Sequence, residues 1–149
     1  MRTYGYRVGQ RQVNGWGTPR GYCEVSGANQ YYDRRDVPLP NLATITYQFR
    51  YKDGIWTCRI NDEVVDTWTL NQVGFAQGTW LPVQGESHGY HVQLGDVYPA
   101  KMRFDEIDYE LAGSNLWQPV TLDEPNNPEW PYDTDTPAAD VFRVWTLNH

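Results

Sequence analysis

A short polar stretch, residues 85–91, holds side chains that can act as nucleophiles, bases or metal ligands. Its polar side chains are those of Glu86, Ser87, His88, Tyr90 and His91. A catalytic triad is assembled from distant chain segments, and the two histidines lack the His-x3-His spacing of a helical metal site. We therefore predict that His88, Tyr90 and His91 lie in a loop at the rim of a binding site, where histidines act as hydrogen-bonding groups.

A second group of acids occupies Asp105-Glu106-Ile107-Asp108-Tyr109-Glu110. Residues i, i+2 and i+4 of a regular strand share one face, so Glu106, Asp108 and Glu110 would line one cleft. This pattern resembles the Glu-x-Asp-x-Glu strand of lichenase- and laminarinase-type glucanases. The resemblance implies a glycan hydrolase with Glu106 as nucleophile and Glu110 as acid/base, their carboxyls about 5 Å apart. The competing interpretation is an acidic strand face in solvent, since exposed charges are common.

The aromatic content indicates a third kind of chemistry, the binding of carbohydrates. The chain has seven Trp and eleven Tyr, and sugars stack their apolar faces on such rings. The candidates in loop-like segments are Trp16, Tyr31, Tyr32 and Tyr90. The tryptophans on strand-like segments, expected in the core, are Trp56, Trp68 and Trp80.

Period-two alternation predicts the elements that position these residues. In Thr44–Tyr51 the apolar side chains occupy every second position, which is typical of a strand with one buried face. Turn residues at Lys52-Asp53-Gly54 and Asn61-Asp62 connect this segment to strands at Ile55–Ile60 and Glu63–Leu70. The three segments therefore predict an antiparallel meander.

Shorter strand patterns recur on both sides of the meander. They are Tyr6–Gln10 and Gly21–Val25 upstream, and Thr79–Glu86 and Lys101–Glu110 downstream. The last one changes register between Phe104 and Ile107, which predicts a β-bulge. Short strands separated by Gly, Pro and Asn predict an all-β antiparallel β-sandwich or jelly roll.

Charge and hydropathy exclude several classes of partner. The net charge is −7 and the pI is near 4.8, which argues against nucleic acid and anionic membranes, because both select for Lys/Arg stripes. No apolar run approaches the roughly twenty residues of a membrane span. Residues 1–6 contain no apolar signal-peptide core, so the numbering of a secreted protein would start after its signal or inside a longer precursor.

The two cysteines, Cys23 and Cys58, each lie in a strand-like stretch. Two interpretations stay open: a disulfide formed in an oxidising, extracellular compartment, or a pair of small buried thiols. Neither cysteine has the paired spacing that zinc ligation uses, so we predict no metal and no cofactor.

Several short motifs, in order, resemble secreted bacterial proteins related to the glutamic peptidases. They are Arg7-Val8-Gly9, Tyr22-Cys23-Glu24-Val25, Trp56…Ile60-Asn61-Asp62, Trp80-Leu81-Pro82-Val83-Gln84-Gly85-Glu86 and Arg103-Phe104-Asp105. The resemblance spans most of residues 5 to 118 and implies a concanavalin-like sandwich. It also implies a concave sheet on which a Glu and a Gln hold the attacking water.

Within that resemblance, Glu86 falls on the catalytic Glu, and Arg7 falls where the family has its Gln. Gln10 and Gln12 lie nearby, but they do not occupy the matching position. An Arg7 side chain would pair with Glu86 and lower the basicity of its carboxylate. A glutamic-peptidase-like acid endopeptidase using Glu86 with Gln10, Gln12 or Arg7 is therefore the alternative rather than the first prediction.

The chain is predicted to divide into a sandwich domain at 1–122 and an acidic, Pro-rich strap at 123–149 that ends in a docking strand at 141–147. That strand could pair with its own sheet or add to a second copy, giving a homo-oligomer. The first prediction is a secreted, non-catalytic domain for binding or assembly. Its concave face, with Arg7, Glu24 and Glu86, would bind a glycan or a protein.

Overall fold

The computed structural model describes residues 5–11, 19–39, 44–77, 102–111, 114–121 and 132–146, and antiparallel β-strands make up most of these described residues. The strands are β1 Gly5–Arg11, β2 Arg20–Ser26, β3 Tyr32–Pro38, β4 Tyr47–Lys52, β5 Ile55–Ile60, β6 Glu63–Thr69, β7 Met102–Phe104, β8 Asp108–Glu110, β9 Trp117–Pro119, β10 Tyr132–Ala138 and β11 Val141–Thr146. A 3-10 turn at Ala28–Gln30 and a helix, α1 at Leu70–Val73, complete the elements. The predicted all-β antiparallel class is confirmed. The described helices are too short to cross a membrane.

The chain divides into two compact units, Met1–Trp80 and Leu81–His149. The first unit contains two sheets of three strands, ordered β1-β2-β3 and β4-β5-β6. The second contains a sheet ordered β10-β11-β7 and the two-stranded ribbon β8-β9. The concanavalin-like, jelly-roll order stays a prediction, because the described strands of the first unit form one meander in each sheet.

The two sheets of the first unit pack face to face, and a specific contact joins each facing pair of strands. The Tyr6 ring of β1 stacks on Phe49 of β4, with centroids 4.3 Å apart. A disulfide joins Cys23 of β2 to Cys58 of β5, with Cα atoms 6.2 Å apart. At the third pair, the indole N–H of Trp68 on β6 donates a hydrogen bond to the Asp33 carboxylate on β3. Of the two interpretations of the cysteines, the structure therefore has the disulfide.

Alternation along the strands explains the core between these sheets. The buried members of its cluster are Cys23, Val25, Trp56, Cys58, Ile60, Trp68 and Val73. Val73 belongs to α1, whose N-terminus is closed by a capping box between Thr69 and Gln72. Gly27 lies against this helix so closely that a Cβ there would be 2.7 Å from Val73 Cα. Helix α1 thus closes one end of the core.

In the second unit, β11 is the central strand of its sheet and pairs with β10 on one side and β7 on the other. Residues on both sides of the boundary predicted at 122 therefore share one sheet. The strap is also more regular than expected, since Tyr132–Ala138 forms a strand. Both edges of β11 are paired within the chain, so addition of this strand to a second copy would require it to leave the sheet.

The segment predicted as one strand at 101–110 is instead two strands in different sheets. β7 ends at Phe104, β8 begins at Asp108, and Glu106 between them has a φ of 51°. A left-handed residue ends the extended path, so the predicted bulge is a break in the strand. The glucanase-like interpretation requires Glu106, Asp108 and Glu110 to share one strand face. Because Glu106 lies outside β8, it does not share a strand face with the other two.

Candidate binding face

The outer face of the β1-β2-β3 sheet carries the polar and aromatic residues that point away from the core. Strand register sets them in rows, such as Arg7 opposite Glu24 opposite Arg34, followed by Gly9 opposite Tyr22 opposite Asp36. We call this surface the Arg–Tyr face. Its members are Arg7, Gly9, Arg20, Tyr22, Glu24, Ser26, Tyr32, Arg34 and Asp36.

Glu24 lies at the centre of a hydrogen-bonded network on this face. Its Oε2 accepts a hydrogen bond from the Tyr32 hydroxyl at 2.9 Å and another from Arg34 Nη1 at 3.4 Å. The Glu24 side chain is only 14% exposed. The carboxylate is thus turned towards its protein partners, and its charge is compensated by Arg34.

Arg34 connects this carboxylate to a second acid and to a ring. Its Nε lies 3.5 Å from Asp36 Oδ1, and its guanidinium carbon lies 5.1 Å from the centroid of the Tyr22 ring. An Arg over a Tyr face is a favourable cation–π arrangement. Neighbours across and along the strands therefore hold the guanidinium in place, and it in turn orients Tyr22.

The Tyr22 ring reaches over the neighbouring strand and lies above Gly9, the residue opposite it. Ring atoms of Tyr22 lie 3.7 to 4.0 Å from the position that a Cβ of Gly9 would occupy. The tip of the ring therefore lies over β1, between the Arg7 row and the Arg20 row.

Tyr32 provides the most exposed aromatic surface of the face. It is 57% exposed, yet its hydroxyl is held by Glu24. A ring fixed at its polar end and open along its body has little rotamer freedom to lose when a ligand packs on it.

The structure brings together some of the predicted site residues. Arg7 and Glu24 are direct cross-strand neighbours, and Tyr32 lies on the same face. Tyr32 is the first residue of β3, however, so the loop predicted for it is wrong. Gln10 lies in β1, and nothing is described of its side chain. The remaining predicted residues lie outside the described part of the chain: Gln12, Trp16, Glu86, His88, Tyr90 and His91.

Tyr31 was predicted to be an exposed aromatic platform, and the structure shows that it is not. It is half-buried and packs against the core cluster. Burial raises the pKa of its hydroxyl, and the nearby carboxylates of Asp33 and Asp66 raise it further. Its role is therefore packing, and a ligand would meet Tyr32 instead.

Sequence reasoning missed Tyr22, Arg34 and Asp36 as site residues. For Arg34 and Asp36 the reason is that β3 carries a run of charges, Asp33-Arg34-Arg35-Asp36, without apolar alternation. The available signal was the alternation of β2 in Gly21–Val25, which directs Tyr22 and Glu24 to one face and Cys23 and Val25 to the other.

Elsewhere, in the second unit, Asp105 and Asp135 each accept hydrogen bonds from a neighbouring arginine. The Arg143 guanidinium donates two hydrogen bonds to Asp135, through Nε at 2.6 Å and through Nη2. Hydrogen bonding to Asp135 is the main cause of the raised pKa of Arg143. Among the described residues, no group of three His, Cys, Asp or Glu side chains is placed to hold a metal ion.

Comparison with family models, curated proteins and solved structures gives no match to this chain. The Arg–Tyr face must therefore be interpreted from its own chemistry.

Proposed function

We propose that this chain is a secreted, non-catalytic β-sandwich protein that binds a carbohydrate on the Arg–Tyr face. The observation that carries the proposal is the Tyr32 ring, 57% exposed and anchored through its hydroxyl to Glu24. A flat ring fixed beside hydrogen-bonding groups is the arrangement that sugars need, because they present apolar C–H surfaces and hydroxyls at the same time.

The Glu24 network supports binding rather than catalysis. Glu24 Oε2 already accepts hydrogen bonds from Tyr32 and Arg34. These contacts favour an ordered, charged side chain that positions Tyr32 and Arg34.

The disulfide supports an extracellular setting. Cys23 and Cys58 are fully buried and joined, and disulfides persist chiefly in oxidising compartments. Binding and localisation are thus two parts of one proposal, that the protein meets its glycan outside the cell.

The proposal is tested by electrophoresis through gels that contain soluble polysaccharides of known composition. Retardation of the native protein by at least one polysaccharide is expected. Tyr32→Ala should weaken that retardation about tenfold, because the sugar loses the ring on which it stacks and Glu24 loses the Tyr32 hydroxyl that helps to order it. Tyr32→Phe keeps the ring and should retain most of the binding.

Tyr109→Ala is the matched control, because Tyr109 is 39% exposed but lies on β8 in the other unit. Its binding should equal that of the native protein. Equal binding by Tyr32→Ala and the native protein, or no retardation in any gel, would contradict the proposal.

A further inference from the structure

The ribbon of β8 and β9 carries a group of exposed apolar side chains beside its turn. Leu111, Leu116 and Trp117 are 47%, 65% and 42% exposed, and we call them the ribbon tip. Trp117 lies opposite Glu110 in the register of the two strands, and the two leucines flank the turn that joins them. Large apolar side chains that are exposed together, rather than singly, mark a surface that another molecule covers.

Ser114 fixes the turn that presents the two leucines. Its hydroxyl donates a hydrogen bond to the Leu111 carbonyl oxygen at 2.9 Å and accepts one from the Leu116 backbone N–H at 3.1 Å. The backbone N–H of Ser114 donates a further bond to the Leu111 carbonyl at 3.0 Å. The two sides of the turn are thus held together, so a partner would meet a surface that it does not have to order first.

The ribbon itself is small. Among the described strands, β8 and β9 pair only with each other, and each has three residues. A two-stranded ribbon of this size is marginally stable in water, because it buries little apolar surface. A partner that covers the ribbon tip would therefore stabilise the ribbon as well as bind to it.

The charge around the ribbon tip indicates the chemistry of that partner. Asp108 is exposed and is the diagonal cross-strand neighbour of Trp117, and Glu106, just before β8, is exposed as well. The sequence between Arg103 and Arg143 contains ten Asp and Glu and no Lys or Arg. This segment repels an anionic surface or the same segment of a second copy, and it attracts cations.

We propose that the ribbon tip is a docking surface for a basic amphipathic helix of another protein. An apolar stripe bordered by Lys or Arg is what such a helix presents, so the stripe would pack on Leu111, Leu116 and Trp117 while its cations lie against Asp108. All of these residues belong to the second unit, and the inference is independent of the carbohydrate site.

The experiment measures binding of two labelled amphipathic helical peptides by fluorescence anisotropy. One peptide consists of leucine and lysine, and the other has glutamate at every lysine position. The native protein should bind the lysine peptide at least about tenfold more tightly, since like charges oppose the glutamate peptide. Raising the salt concentration should reduce this difference.

The apolar part of the surface is tested with Leu111→Ser/Leu116→Ser. This variant should lose about tenfold or more of the affinity for the lysine peptide, because two apolar contacts are removed without a change of charge. The matched control is Ile55→Ser/Val64→Ser, which alters two exposed apolar residues of the first unit and should bind as the native protein does.

The charged part is tested with Glu106→Gln/Asp108→Asn, which should weaken binding of the lysine peptide about threefold. Asp62→Asn/Glu63→Gln is its control, because it removes the same net charge at two exposed residues of the first unit and should have less effect. An unchanged near-ultraviolet circular dichroism spectrum establishes that each variant is folded.

Equal affinity of the native protein and Leu111→Ser/Leu116→Ser for the lysine peptide would overturn the proposal, since net charge alone would then attract the peptide. A native dimer that this variant dissociates in sedimentation would instead assign the ribbon tip to a second copy. Binding to phosphatidylcholine vesicles that the same variant abolishes, without binding to the lysine peptide, would assign it to a lipid surface and overturn the proposal as well.

Discussion

The two faces of strand β2 differ in what their side chains contact. Cys23 and Val25 are fully buried between the sheets, while Tyr22 and Glu24, one residue away, lie on the Arg–Tyr face. Side chains alternate across a strand, so adjacent residues can serve stability and binding separately. The difference predicts that substitutions on the inner face lower the free energy of unfolding, and that substitutions on the outer face mainly change ligand affinity.

The largest expected effect on the inner face is loss of the disulfide. The double variant Cys23→Ala/Cys58→Ala opens a link between residues separated by 35 positions. Releasing a loop of this length is expected to lower the free energy of unfolding by about 4 kcal/mol, because the unfolded chain regains conformational freedom. Urea denaturation followed by tryptophan fluorescence measures the change.

Thr57→Ala is the control for the disulfide, because Thr57 precedes Cys58 on β5 but points to the opposite face. It should change stability by less than about 1 kcal/mol. A disulfide-free variant as stable as Thr57→Ala would break the comparison between the two faces.

The sequence predicted the sheets best where alternation and turn chemistry agree. The predicted meander is confirmed as β4, β5 and β6, and its turns have positive φ at both Asp53 and Gly54, and at both Asn61 and Asp62. Asp, Asn and Gly adopt this conformation at low cost, so the pattern determines the hairpins locally.

Other features depend on tertiary contacts that no local pattern contains. The disulfide requires β2 to face β5, and β3 is held by pairing with β2 despite its charged sequence. The break at Glu106 was missed because Glu rarely takes a positive φ, so nothing in its type marks it. The Arg–Tyr face was predicted only in part, since most of its network comes from β3.

The contact between β3 and β6 gives the second largest effect. Asp33 Oδ2 accepts a hydrogen bond from Trp68 Nε1 at 2.8 Å, and its Oδ1 accepts one from the Arg34 amide at 2.8 Å. Asp33→Ala leaves the indole N–H of a fully buried Trp68 without this acceptor. The free energy of unfolding should fall by about 2 kcal/mol in urea denaturation.

Asp36→Ala tests the other face of the same strand. Asp36 pairs with Arg34 at a partly exposed site, so its loss should cost less than about 1 kcal/mol. Should Asp36→Ala prove as destabilising as Asp33→Ala, the outer network would contribute to folding as much as the core contact does.

The smallest effect appears only at high pH and links the two faces through Tyr47. This residue lies on β4 and packs against the core cluster. Its hydroxyl is buried and makes no hydrogen bond to any residue that the structure describes. Burial raises the pKa of Tyr47 from 10.0 to about 12, and the neighbouring Tyr22 adds to the rise.

A raised pKa means that the folded state holds the phenol proton more tightly than the unfolded state does. The stability that depends on this proton is complete below pH 10.0 and is lost as the pH rises towards about 12. Tyr47→Phe removes the titrating group. It should be nearly neutral at pH 8 and should lose about 1 kcal/mol less than the native protein between pH 8 and pH 11.

Urea denaturation at the two pH values measures this difference. Burial also raises the pKa of Tyr6, so part of the alkaline loss should persist in Tyr47→Phe. Tyr22→Phe, on the Arg–Tyr face, should leave most of the loss in place because burial is the larger cause at Tyr47. If Tyr22→Phe removed as much of the loss as Tyr47→Phe does, the outer face would control a core titration, and the two faces of the sheet could not be treated separately.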